Sequence, residues 1–202
     1  MNGHWKILVD FVEGNISKEE FEQDFFCNSE LQDILNDTSQ NWYGTYLANS
    51  TPFIFLTEQN LQSTLGALNA QDVIQMLLDR KGISYSISKK YSKSFALISK
   101  VQPKYIDADW GFIETQILPS ETICNQKKIE QYCKNRYNDL FRFQSKPPKW
   151  IQNPQWPIVN NRPCYYIGQL ELKLNDIYHD NGMAYIFIDY PTKEVKTVIQ
   201  LY

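Results

Sequence analysis

The spacing of apolar residues changes along the chain, and this change constrains the possible folds more than any other feature. In the first part, apolar side chains recur at steps of three and four residues, as Trp5, Leu8 and Val12 do, which is the period of an amphipathic helix. In the last part, three runs rich in β-branched and aromatic residues have strand patterns, over residues 164–174, 183–189 and 195–201. Helices that precede strands in this way are typical of an α+β fold. We therefore predict short amphipathic N-terminal helices packed on an antiparallel-rich sheet with one long helix.

The same change predicts how the chain is divided. Residues 1–82 are expected to form a mainly helical subdomain and residues 83–202 an α+β sheet domain, and 202 residues are few enough for one compact unit. The second part is expected to begin with two strands. Apolar residues alternate with serines over residues 83–88, and residues 95–98 form a short apolar run. The long helix is expected around residues 129–140, where helical spacing is kept.

Several helix boundaries can be predicted in the N-terminal part. Ser17 followed by Glu20 is a capping box, which satisfies two free backbone N–H groups at the start of a helix. Ser29 is expected to start a second helix and Asn69 to cap a third. Gly82 suits the left-handed position that ends the third helix.

Charge is distributed unevenly, although the net charge is only −3. Residues 1–40 carry nine acidic and two basic side chains, whereas residues 80–105 carry seven basic side chains and no acidic one. Four carboxylates of the first region lie off the apolar helix faces and are expected to face water as candidate partner-binding residues, namely Glu19, Glu22, Glu30 and Asp33. Acidic helices argue against nucleic acid as the partner, because nucleic-acid binding needs a dominant basic stripe. Residues 80–105 still leave an RNA-binding module open as an alternative.

Residues that usually carry catalysis are scarce. The chain contains no phosphate-binding loop, dinucleotide fingerprint, zinc-protease motif or nucleophile elbow, and it has only two histidines. Cys164 and His179 form a conceivable nucleophile pair, but His179 precedes an Asn-Gly turn and is more simply a turn residue. Asp107, Asp109 and Glu114 form a conceivable acid–base cluster, but a solvated loop explains them better. We therefore predict a protein without enzymatic activity.

The four cysteines predict no metal site. They are Cys27, Cys124, Cys133 and Cys164, and none belongs to a C-x-x-C pair of the kind that structural zinc sites use. Reduced, buried thiols fit a cytoplasmic protein. The chain also lacks an apolar run of 18 residues and a signal-peptide cleavage site. We expect a cytoplasmic location, no membrane contact and no cofactor.

The most distinctive stretch of sequence is a Trp- and Pro-rich loop that spans residues 144–163. Its prolines, Pro157 among them, stiffen an extended backbone, while Trp150 and Trp156 offer large surfaces to bury. The side-chain amides of Gln169 and Gln200 can satisfy backbone groups of such a loop. We predict a structural loop clamped on the sheet. The alternative is an uncharacterised enzyme or small-ligand binder that uses the two indoles.

This stretch resembles the YwqG-like family of bacterial proteins. Members carry a Trp-Pro passage followed by a proline, a glutamine and a strand with an aromatic residue before an aspartate. The matching residues lie within residues 145–202 and are Trp156, Pro157, Pro163, Gln169, Tyr185, Phe187 and Asp189. The resemblance implies no firm enzymatic role.

Size and sequence style also resemble the immunity proteins encoded beside polymorphic or contact-dependent inhibition toxins. This resemblance implies an immunity protein that neutralises a cognate toxin by direct binding and occlusion. The acidic helices suit a basic toxin such as a nuclease, because nucleases bind phosphate backbones through cations.

Overall fold

The computed structural model describes residues 3–120, 125–173 and 180–202. They form an α+β fold with antiparallel strands, which confirms the predicted class. The chain divides into two compact units, Met1–Ala96 and Leu97–Tyr202, so the boundary lies later than the predicted one after residue 82. Within the described ranges, no helix combines the length and the apolar character needed to cross a membrane.

The first unit is built from short helices and one longer helix. They are α1 (Gly3–Glu13), α2 (Lys18–Cys27), α3 (Ser29–Leu35), α4 (Pro52–Thr57) and α5 (Thr64–Arg80). Their apolar faces meet in one core, to which α2 contributes the fully buried Phe21 and Phe25. The rings of Phe11 and Phe21 stack with their centroids 4.1 Å apart, so aromatic packing joins α1 to α2.

Two predicted boundary signals, the capping box of Ser17 and Glu20 and the helix end at Gly82, are confirmed. The Glu20 backbone N–H donates to the Ser17 hydroxyl, and the Ser17 backbone N–H donates to the Glu20 carboxylate, which completes the capping box of α2. Gly14 after α1 and Gly82 after α5 have positive φ angles of 78° and 66°. Only glycine enters that region without steric cost, so both residues end the preceding helix.

The helix α3 begins at Ser29, as predicted, and its cap is Asn28, because the Asn28 side chain accepts the hydrogen bond from the third helical N–H. The predicted cap of the third helix is wrong. The cap of α5 is Ser63, so Asn69 lies inside the helix, where its amide donates to Gln59 at 2.9 Å. Asn and Ser are nearly equal as caps, so their order in a sequence does not show which one starts the helix.

The two strands predicted at residues 83–88 and 95–98 are also wrong. The segment of residues 83–89 lies against the end of α1, where the Ser88 N–H donates to the Val12 carbonyl at 2.9 Å, and it pairs with no described strand. Residues 95–98 belong to helix α6 (Lys90–Val101). A short apolar run has no clear period, so its length alone does not separate a strand from a buried helical turn.

The second unit contains short helices, one long helix and two small sheets. Its elements are α7 (Trp110–Phe112), which continues into a π-helical turn (Ile113–Ile117), α8 (Gln126–Leu140), β1 (Ile158–Val159), β2 (Arg162–Pro163), β3 (Tyr165–Leu172), β4 (Gly182–Ile188) and β5 (Val195–Leu201). The long helix and the three C-terminal strands confirm the predictions. Residue 174, the predicted end of the first strand, lies outside the described residues.

The strands β3, β4 and β5 form an antiparallel sheet in that order. The predicted hairpin between β4 and β5 is present, and the Thr192 hydroxyl closes its turn by donating to Asp189 at 2.7 Å. One face of the sheet supplies Tyr166, Tyr185 and Phe187 to the core of the second unit, in which α8 also takes part.

Candidate functional site

The helices α2 and α3 carry the four carboxylates that the sequence predicts to face water. Glu19 and Asp33 are exposed and make no hydrogen bond or ion pair with any described residue. Glu22 is half-buried and accepts a hydrogen bond from the Gln62 amide. The structure therefore leaves Glu19 and Asp33 free for a partner and engages Glu22 within the unit.

Glu30 is also engaged within the unit. Its Oε2 lies 2.5 Å from Nε2 of His4, although 70% of the Glu30 side chain is exposed. The other ring nitrogen of His4 lies 3.1 Å from the Asn28 side-chain amide. This chain of contacts ties the N-terminal turn of α1 to α3, so Glu30 contributes to the fold as well as to the surface charge.

Few cations balance the negative charge of the carboxylates on α2 and α3. The helices α2 and α3 carry six acidic side chains, and their only basic side chain is Lys18. Lys6 lies 4.0 Å from Asp10, and the Lys18 ammonium donates to the Gln62 carbonyl. We call the exposed carboxylates of α2 and α3 the acidic surface. Its field favours a basic partner, because the carboxylates that lack partners are not neutralised locally.

Exposed aromatic side chains in the same unit were missed by the sequence prediction. Tyr43 is 87% exposed, Phe26 58% and Tyr46 56%. Phe26 follows the buried Phe25 on α2, and its ring packs edge-on against that neighbour at 4.9 Å. Adjacent residues on a helix point about 100° apart, so a Phe-Phe pair already implies that one ring leaves the core. Exposed Tyr and Phe side chains are typical anchors of protein interfaces.

The Trp- and Pro-rich loop packs its two indoles against the core of the second unit. Trp156 is buried, and its indole N–H donates to the Cys164 carbonyl at 2.8 Å. Trp150 donates in the same way to the Tyr105 carbonyl at 2.9 Å. The ring of Trp156 is buried and that of Trp150 is partly buried, and each indole satisfies its only polar group, which leaves no polar atom of either ring for a ligand.

Two glutamines clamp this loop on the sheet, which confirms the prediction for Gln169 and Gln200. The Gln169 side-chain oxygen accepts from the Lys149 N–H at 2.9 Å. The Gln200 oxygen accepts from the N–H groups of Ile151 and Gln152 at 3.2 and 3.1 Å. The Gln200 amide donates to the Asn153 carbonyl at 2.8 Å, so one side chain satisfies three backbone groups.

A cavity of about 220 Å³ lies beside this loop, but the two indoles do not line it. It is lined by residues 145–147, Lys149 and residues 166–169. The rings of Trp150 and Tyr185 instead pack against each other at 4.3 Å between centroids. The geometry gives no support to the alternative in which the indoles hold a small ligand.

The basic segment, residues 80–105, was the basis of the RNA-binding alternative, and its structure differs from what that alternative needs. Lys89, Lys90 and Lys93 are exposed, but Tyr91 between them is only 5% exposed and belongs to the core of the first unit. A base needs an accessible ring face to stack on. Phe95 remains partly exposed at 38%. The aromatic residue placed between the lysines is therefore a core residue.

Among the residues considered for catalysis, the structure describes the surroundings of Cys164 and Asp109. Cys164 is 1% exposed, and burial raises the pKa of its thiol, which opposes formation of the nucleophilic thiolate. His179, the residue considered as its base, lies outside the described residues. The Asp109 carboxylate accepts from the Phe112 N–H at 2.9 Å and caps α7.

The cysteines show no metal arrangement where the structure describes them. Cys27 is exposed, Cys133 and Cys164 are buried, and the three thiols are free. Burial raises the pKa of the Cys133 thiol. Across the described ranges, no three His, Cys, Asp or Glu side chains are close enough to hold a metal ion. Cys124 lies outside those ranges.

The outer face of the three-stranded sheet is the second unusual surface. Successive residues on β3, β4 and β5 face the core and the outer side of the sheet in turn. The strand register places twelve residues on the outer side. They lie in four rows across the sheet, namely Leu172–Gly182–Leu201, Leu170–Ala184–Ile199, Gly168–Ile186–Thr197 and Tyr165–Ile188–Val195. We call this set the outer sheet face. Leu170 is 63% exposed, Val195 61% and Ile199 45%.

Comparison with known proteins yields no relative, because no family model, no curated protein and no solved structure matches the chain. The surfaces of the molecule are therefore what points to a function.

Proposed function

We propose that this chain is an immunity protein, which neutralises a cognate bacterial toxin by binding it and covering its active site or an essential surface. The observation that carries the proposal is the acidic surface, where Glu19 and Asp33 are exposed and have no partner among the described residues. An immunity protein of this kind would act in the cytoplasm.

The charge of this surface suggests the chemistry of the partner. Carboxylates that remain uncompensated in the free protein attract a cationic surface and increase the rate of encounter with it. A toxin that cleaves nucleic acid must carry such a surface, because it binds phosphates. The exposed aromatic side chains of the same unit, such as Tyr43, add the contact area on which interface affinity depends.

The contacts of the Trp- and Pro-rich loop also favour a binding protein over the alternatives. The burial of Trp156 and the clamp by Gln200 give this unusual sequence a structural explanation, so it does not require a ligand or a reaction. The buried position of Tyr91 leaves the basic segment with one fewer ring on which a base could stack, which favours the immunity proposal over the RNA-binding alternative. The resemblance to the YwqG-like family remains a prediction.

The proposal is tested by co-expressing the chain with the toxin domain encoded beside its gene. The wild-type chain is expected to restore growth and to form a complex with the purified toxin domain. The double variant Glu19→Lys with Asp33→Lys is expected to bind at least about 10-fold more weakly, because it places cations opposite cations. The matched control is Asp107→Lys with Glu171→Lys, which makes the same change in net charge on exposed residues of the second unit. Absence of both protection and complex formation by the wild-type chain would refute the proposal.

A further inference from the structure

The outer sheet face lacks the polar residues that an exposed antiparallel sheet normally presents to water. Such sheets usually bury one face and solvate the other, so polar side chains occupy the solvent side. Here eight of the twelve positions hold Leu, Ile, Val or Tyr, and the polar exception is Thr197. Contiguous apolar surface of this kind makes the face a candidate contact with another molecule.

The composition of the face also restricts what covers it. None of its twelve described positions carries a charge, although the chain carries 43 charged side chains in all. A strongly charged partner gains nothing electrostatically from this face. A second copy of the face meets it without any like-charge contact, whereas the acidic surface would repel its own copy.

We propose that the outer sheet face packs on the same face of a second copy of this chain and forms a reversible homodimer. Two apolar sheets pack face to face about 10 Å apart, with their strands aligned or orthogonal. A two-fold axis through the contact makes the interface self-complementary, so that each row of one copy meets a row of the other. The side chains at the centre are Leu170, Ile186 and Ile199.

The size of the face sets the strength of this association. Three strands about 4.8 Å apart, each about seven residues long at about 3.4 Å per residue, cover roughly 350 Å². Two copies therefore bury about 700 Å², below the roughly 1,200–2,000 Å² of stable protein complexes. The dimer is accordingly weak and depends on concentration.

Sedimentation velocity of the full chain from about 1 to about 500 µM tests this proposal, because a weak dimer forms within that range. The wild-type chain is expected to shift from monomer towards dimer as its concentration rises. Ile199→Lys and Leu170→Lys are each expected to raise the dissociation constant roughly 30-fold or more, because dimerisation would bury an unpaired charge. Ile87→Lys is the matched control, since Ile87 is similarly exposed at 54% but belongs to the first unit, and it should dimerise as the wild type does.

Two results would overturn the proposal. One is a wild-type chain that stays monomeric throughout the concentration range. The other is a folded Ile199→Lys chain that dimerises with the wild-type constant. If the lysine variant fails to fold, Ile199→Thr keeps a β-branched side chain at this position and must still weaken the dimer. The readout needs no toxin, so its outcome is independent of the proposed immunity function.

Discussion

Gln200 shows how one buried residue can hold a loop that has no regular structure. It is 2% exposed, and its side chain bonds three backbone groups of residues 151–153. A buried backbone group that loses its partner costs about 1–3 kcal/mol. We therefore expect Gln200→Ala to lower the free energy of unfolding by about 3 kcal/mol, as measured by urea denaturation.

The control for this change is Gln131→Ala. Gln131 is an exposed glutamine on α8 whose amide bonds only the Asn135 side chain, so its loss should change stability by no more than about 0.5 kcal/mol. Equal effects of the two substitutions would mean that the clamp does not stabilise the loop.

Asp37 makes the stability of the folded protein depend on pH in the acidic range. The Ser39 hydroxyl, the Gln40 amide and the Ser39 N–H all donate to its carboxylate, and they hold the pKa of Asp37 well below its ordinary value. Its stabilising effect is therefore complete above the unfolded-state pKa of about 4 and is lost as the pH falls towards the lower folded-state pKa. We expect Asp37→Asn to reduce the drop in melting temperature between about pH 5 and pH 2.

Asp33→Asn provides the comparison for that measurement, because Asp33 is exposed and has no partner among the described residues. Its acid-induced drop in melting temperature should be that of the wild type. If acid lowers the melting temperature of Asp37→Asn as much as that of the wild type, the hydrogen bonds to Asp37 do not couple its protonation to folding.

Some residue roles could be predicted from the sequence and others could not. The capping box at Ser17 and the amide clamp at Gln200 were predictable because each role follows from the side-chain chemistry and its neighbours in the chain. The engagement of Glu30 by His4 was not predictable, because the two residues are distant in sequence and meet only through helix packing. The acidic site therefore retains Glu19 and Asp33 as its free members.

At the scale of elements, the packing of α5 depends on Gly66. A Cβ atom at this position would overlap the Asn60 carbonyl in the turn that precedes the helix. Gly-to-Ala changes inside helices usually stabilise by about 1 kcal/mol. Here we expect Gly66→Ala to destabilise by about 2 kcal/mol or more, because the backbone of the turn must move.

Gly3→Ala in α1 is the matched helix variant for this test. No atom lies within 4 Å of the Cβ it would add, so it should leave the thermal midpoint unchanged or raise it. A Gly66→Ala chain as stable as the wild type would contradict the close approach of the turn to α5.

The elements themselves were predictable where the periodic pattern is long. The helix α8 and the strands β3 to β5 each extend over several periods, so their patterns identified them. Residues 83–88 have a strand pattern but no neighbouring strand to pair with, and they lie instead against the end of α1. Whether two distant segments pair as strands depends on the whole fold, so the local sequence pattern of one segment does not predict it.

At the scale of the whole molecule, charge and apolar surface are separated. The first unit bears the acidic surface, and the second unit bears the outer sheet face without a charge. The charge imbalance was visible in the sequence. The outer sheet face was not, because β4 is apolar at consecutive positions, and such a run does not show which of its two faces the core covers. The two surfaces fit two separate contacts, with the toxin at one and a second copy at the other.

The central claim is that the acidic surface recruits a basic toxin, and the salt dependence of the association rate constant tests it most directly. The rate constant for the wild-type chain and its cognate toxin domain should fall steeply between about 50 and 500 mM salt, because screening weakens electrostatic steering. The Glu19→Lys and Asp33→Lys double variant should associate at least about 10-fold more slowly at low salt and show a much flatter dependence. The Asp107→Lys and Glu171→Lys control should keep most of the wild-type rate. A double variant that associates at the wild-type rate at low salt would contradict the account.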